Sequence, residues 1–221
     1  MRKMTERQII NSKELLRPKA GEWLPPPVPP QKDPGVGGVK VKFDSRDLTL
    51  SALFTALYVV INLIQSFTVG NPTVYGPIQL RVSDFMIALT VLLGWPMVAG
   101  VTLGCFLTNG YFFIGAPDVV LGPIANLIAA CLVLALRKHR LLACISGALP
   151  IGLIVGGYLW LFFPPPDTFG VLPAWAGMII SITISSVIAV GILGYLVLSA
   201  LSRSRILEPL KSRGLKVLNV G

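Results

Sequence analysis

The chain has 221 residues, of which 53% are hydrophobic and only 13% charged. A soluble domain carries about 25% charged residues, so the composition excludes an ordinary water-soluble globule and points to lipid as the solvent. The net charge of +9 raises nucleic acid as a partner, but the basic residues flank apolar segments, so the charge reads as membrane topology and no nucleic-acid partner is expected.

Residues 1–47 are polar and proline-rich, and a disordered cytoplasmic extension is expected there. The run Pro25-Pro26-Pro27-Val28-Pro29-Pro30 favours extended polyproline and cannot build a packed core. Lys3, Arg7, Lys13 and Arg17 interrupt any apolar stretch, so this is no signal peptide. Gly35-Val36-Gly37-Gly38 lacks the Lys-Ser/Thr signature of a phosphate loop.

A membrane helix needs about 20 mostly apolar residues. Six candidates follow in order, at 48–67, 79–93, 96–113, 117–136, 141–163 and 173–199. The expected fold is therefore all-α, a bundle of six transmembrane helices over 48–202 followed by a basic cytoplasmic tail at 203–221. Pro96 suits a first helical turn. Gly94-Trp95 leaves room only for an antiparallel hairpin between the second and third helices. Pro123 and Pro150 fall inside helices four and five. No internal repeat is evident, which disfavours an inverted-repeat carrier.

The loops orient this bundle in the cell membrane. With a cytoplasmic N-terminus, the inner segments hold Lys40, Lys42 and Arg46, then Arg137-Lys138-His139-Arg140, then Arg203, Arg205, Lys211, Arg213 and Lys216. The outer loops hold no basic residue except Arg81 at a helix end, and carry Asp118 and Asp167 instead. The excess of basic residues on one side places both termini in the cytoplasm.

That orientation gathers scattered polar residues. Arg81 and Asp84 enter with helix two, three positions apart and able to pair. Thr108 and Asn109 close helix three; Asp118 opens helix four, and Asn126 follows about two turns deeper. These groups converge on the outer half of the bundle. Charged groups at membrane depth are costly and face a bundle interior or a wet cavity. The alternatives are an interfacial Arg81–Asp84 staple and an Asp118 that only caps its helix.

No catalytic constellation competes, because no His stands as a base near a Ser or Cys and there is no HExxH motif. An enzyme is not expected. Cys105, Cys131 and Cys144 lack CxxC spacing and read as small apolar residues, and His139 has no companion for zinc, so neither metal nor other cofactor is expected. On helix one, Ser51, Ala52, Thr55 and Ala56 form a small-residue patch that lets another helix approach closely, inside this bundle or outside it.

Three segments resemble a known family. Tyr75-Gly76-Pro77-Ile78-Gln79-Leu80-Arg81-Val82-Ser83-Asp84 resembles the GPIQ(F/L)RVSE segment of the QueT family. Thr102-Leu103-Gly104-Cys105-Phe106-Leu107-Thr108-Asn109 is similar to its LGCFxAN stretch, and Gly115-Ala116-Pro117-Asp118-Val119-Val120-Leu121-Gly122 to its GxxDxxxG segment. The resemblance covers about residues 48–200 in order. It implies the substrate-binding (S) component of an energy-coupling factor (ECF) importer for queuosine precursors, which are 7-deazaguanine bases. It further implies an ECF transmembrane subunit docking on Ala52 and Ala56, and partner ATPases supplying the energy. Asp84 stands where the family has glutamate, one methylene shorter, and the proline-rich arm is an extension to the family's pattern.

On this reading a carboxylate accepts the paired N–H and amino donors of the base edge, with Asp84 the first choice and Asp118 the second. Asn109 and Asn126 suit the ring carbonyl and pyrrole N–H, Arg81 orients Asp84, and Tyr75 stacks on the ring. The alternatives are an S component for another vitamin or nucleobase, and a membrane scaffold without a ligand.

Overall fold

The computed structural model describes residues 44–69, 80–169, 171–212 and 217–218. Tyr75 and the proline-rich arm lie outside them. The described residues form helices and connecting turns, without a strand. In chain order they are α1 (Ser45–Val69), α2 (Val82–Leu93), α3 (Trp95–Phe112), α4 (Ala116–Ala135), α5 (Arg140–Leu159), α6 (Ala174–Leu201) and α7 (Ser204–Ser212).

Four of these, α1, α4, α5 and α6, are long and apolar enough to cross a membrane. α3 has 18 residues, but Trp95, Thr102, Thr108 and Asn109 dilute its apolar character. α2 departs most from the expected span. Its first eight residues, Val82–Leu89, wind as a 3₁₀-helix, and only Thr90–Leu93 is α-helical. At about 2.0 Å and 1.5 Å per residue these cover roughly 22 Å, short of a hydrocarbon core of about 30 Å. α2 is instead an interior segment, with Met86, Ile87, Ala88 and Val91 fully buried. Such a segment needs apolar residues all round, and therefore reads in sequence like a span.

Gly94 makes the α2–α3 turn with φ of 67°, a left-handed conformation open to glycine at little cost. The N–H of Leu218 donates to the Leu92 carbonyl at 2.8 Å, satisfying one of the acceptors that the end of α2 leaves open. α5 ends at Leu159, earlier than the apolar run to Phe163, ahead of Pro164, Pro165 and Pro166; a residue before proline is pushed out of the helical region. α6 is not uniform. Ala174–Ser186 is α-helical, Val187–Leu193 is π-helical, and Gly194–Leu201 returns to α.

Small residues set the helix spacing. A Cβ on Gly104 would lie 2.7 Å from Tyr58 Cβ, and one on Gly156 would lie 2.6 Å from Ile179 Cα. Glycine at these two contacts brings α3 against α1 and α5 against α6, as expected where lipid is as apolar as leucine and association rests on close packing. Of the four long apolar helices, α1 is the least enclosed. Leu53, Leu57, Val60, Ile64 and Phe67 are all exposed, and so are Ala52 and Ala56. The small-residue patch of α1 therefore includes an outward face, and its two alanines are not packed inside the bundle.

Candidate functional site

Five of the polar residues expected to converge line one cavity: Arg81, Asp84, Asn109, Asp118 and Asn126. They arrive from α2 and the residue before it, from α3 and from α4. α5 adds Tyr158, and α6 adds Ser185 and Ser186 from the turn that leads into its π-helical stretch. The cavity volume is about 30 Å³. That is room for one or two waters in this closed packing.

Each carboxylate is buried and held by one phenol. Asp84 is 5% exposed, and its Oδ1 accepts the Tyr58 hydroxyl at 2.6 Å. Asp118 is 1% exposed, and its Oδ1 accepts the Tyr158 hydroxyl at 2.7 Å. Asp118 is thus no simple cap: Gly115 occupies the N-cap, and no side chain caps the α4 terminus. In each carboxylate the phenol holds one oxygen.

The two asparagines differ. Asn126 donates its Nδ2 to Tyr58 Oη at 3.0 Å. Because Tyr58 spends its proton on Asp84, the chain Asn126–Tyr58–Asp84 runs in one direction and leaves the Asn126 carbonyl oxygen as an acceptor. Asn109 donates to the backbone carbonyl of Asp118 at 2.8 Å, joining α3 to α4. Gly122 makes this bond possible, since a Cβ there would run into Asn109 Nδ2.

Arg81 and Asp84 do not form the interfacial staple that was the alternative reading. Arg81 sits before the first turn of α2 in an extended conformation (φ −88°, ψ 100°), so the helical spacing that would align the two side chains does not apply. Its Nη1 instead lies 3.3 Å from Cys105 Sγ on α3. The guanidinium remains within electrostatic range of both Asp84 and Asp118. The cavity therefore combines acceptor-rich walls with one fixed cation.

Tyr58, Tyr158, Ser185 and Ser186 were not among the expected site residues, and neither was the pair Asn62–Ser83 beside Asp84, joined at 2.7 Å. A sequence signal existed for Asn62, an amide in the middle of an apolar helix. Tyr58 and Tyr158 count as aromatic and apolar in hydropathy, yet a buried phenol needs a partner. Among the described residues no group of three or more His, Cys, Asp or Glu is placed to hold a metal ion.

The chain is thus a helical membrane protein with a small, acceptor-rich polar cavity among its helices. The sequence profile of the QueT transporter family matches residues 48–203, and the chain belongs to that family. Neither the curated proteins nor the solved structures gave a match. The protein is accordingly a membrane-embedded member of a transporter family.

Proposed function

We propose that this chain is the S component of an ECF importer and captures a queuosine precursor, a 7-deazaguanine base, at the cavity between α2 and α6. The observation that carries the reading is the pair of buried carboxylates, each with one oxygen held by a phenol, in a pocket whose spare groups are mainly acceptors. A deazaguanine edge offers an N–H and an amino group side by side, and a carboxylate accepts both with charge assistance. Asp84 takes that edge, and Asp118 faces the aminomethyl cation of the aminated precursor. The Asn126 carbonyl oxygen suits the pyrrole N–H, and Arg81 suits the ring carbonyl.

In this reading six segments traverse or line the membrane, both termini are cytoplasmic, and the base enters from outside. Energy comes from partner ATPases through an ECF transmembrane subunit that docks on the exposed Ala52 and Ala56. The support for docking is that this face carries small residues and is turned away from the bundle.

Mass spectrometry of the small molecules retained by purified protein tests the substrate. A 7-deazaguanine base in the extract, bound again on calorimetric titration, is the expected result. A different vitamin or nucleobase would move the chain to another substrate, and the absence of binding to any small molecule would favour a scaffold.

A further inference from the structure

α1 is joined to the site by a polar seam. Tyr58, Asn62 and Gln65 are spaced by four and three residues and therefore share one face of the helix. Tyr58 donates to Asp84 Oδ1 at 2.6 Å, and Asn62 donates to Ser83 Oγ at 2.7 Å. Gln65 accepts the Val82 N–H at 3.0 Å through its Oε1 and donates through its Nε2 to the Leu80 carbonyl. As α1 advances, its partners run backward from Asp84 to Leu80. The seam thus grips the short segment that carries both Arg81 and Asp84.

In a bilayer apolar side chains gain little by leaving lipid for one another, so hydrogen bonds between helices supply direction that apolar contact does not. The other face of α1 is open: Ala52 and Ala56 are exposed, as are Leu53, Leu57 and Val60. From Ala52 and Ala56, Tyr58 lies roughly 240° and 200° around the helix, on the far side. Tyr58 is fully buried behind Asp84, and Asp84 in turn lines the cavity. A continuous path therefore runs from the cavity through Asp84 and Tyr58 to the outward face of α1.

We propose that this seam transmits occupancy of Asp84 to the outer face of α1, with Tyr58 as the positioning residue at its head. The inference rests on the proposed reading for the ligand at Asp84 and for docking at Ala52 and Ala56. A donor that engages the cavity-side oxygen of Asp84 re-aims the carboxylate. The phenol follows its acceptor, and Asn62 and Gln65 carry the rest of α1 with it. By reciprocity, a helix seated on the alanine face changes affinity for the base by the same factor that the base changes docking.

The test uses full-length protein in lipid nanodiscs, with spin labels on cysteines placed at Leu53 of α1 and Ile128 of α4 and with Cys131 and Cys144 changed to Ala. Distances are measured by pulsed electron resonance with and without saturating 7-aminomethyl-7-deazaguanine. The parent should shift its α1–α4 distance on adding the base. Tyr58→Phe should bind the base more weakly and, at concentrations that saturate it by calorimetry, show no base-dependent shift. Tyr158→Phe, which alters the other phenol, should keep the shift once base is added to saturation by calorimetry. A Tyr58→Phe protein that binds and shifts like the parent would overturn the proposal. A second arm needs no ligand: Tyr58→Phe and Asp84→Ala should each displace or broaden the distance, and the double variant should go no further than the larger single effect. Unchanged distances, or effects that add, would also overturn it. If calorimetry detects no base on the parent, the substrate reading falls, and the ligand-free arm alone decides the seam.

Discussion

Replacing Asp84 with Asn isolates the role of one carboxylate with little change in shape. Tyr58 donates to Asp84 Oδ1 at 2.6 Å and will keep an oxygen opposite it in the variant. The amide is thereby forced to turn its NH2 toward the cavity. There it meets the donor edge of the base, donor against donor, at a position only 5% exposed. A buried mispaired donor costs about 1–3 kcal/mol, and more where charge is lost. At about 1.4 kcal/mol per decade, affinity should fall roughly tenfold to a few hundredfold. Calorimetric titration of Asp84→Asn and Asp118→Asn with the aminated and nitrile bases measures it, on preparations shown to be monodisperse. Unchanged affinity in both variants would refute the assignment of either carboxylate to the base and move the site elsewhere in the bundle.

Gly122→Ala should lower thermal stability by about 1–3 kcal/mol and weaken the base in parallel, because the added methyl displaces Asn109 from its α3–α4 bond; thermal unfolding with and without base reads both. A cysteine at Asp167, an exposed residue between α5 and α6, should react with an impermeant thiol reagent in intact cells, while one at His139 should not; the reverse pattern would invert the topology. Ala56→Trp should abolish uptake in cells carrying the partner subunits while leaving the calorimetric affinity of the isolated protein unchanged, and loss of binding would show that this face supports the fold instead.

The outlines of α1, α3, α4 and α6 were legible because apolar runs and flanking charges follow the bilayer's demands. α2 was legible as a segment but not in its geometry. Apolarity on all sides looks the same whether lipid or protein surrounds a helix, and only the packed partners of Met86 and Ile87 distinguish the two. Arg81, Asp84, Asn109, Asp118 and Asn126 could be read as one group because polar side chains at membrane depth are expensive and therefore informative. The expected Arg81–Asp84 pair failed for a local reason: helical spacing was applied to a residue that stands before the first turn. Tyr58 and Tyr158 were hidden because a phenol's hydroxyl is outweighed by its ring in any apolar count, although that hydroxyl holds one oxygen of each carboxylate.

The π-helical stretch Val187–Leu193 divides the last long helix into two angular frames. A π turn holds more residues than an α turn, so the wheel that places Ser181, Ser185 and Ser186 on the inner side cannot be extended unchanged to Leu198. Continued at about 100° per residue, it would assign later side chains to the wrong surface. For protein engineering, this makes Val187–Leu193 the place where removing one residue has a defined geometric meaning. Such a deletion should let the stretch revert to regular α winding and rotate one half of the rod against the other, without cutting the chain's path across the bilayer.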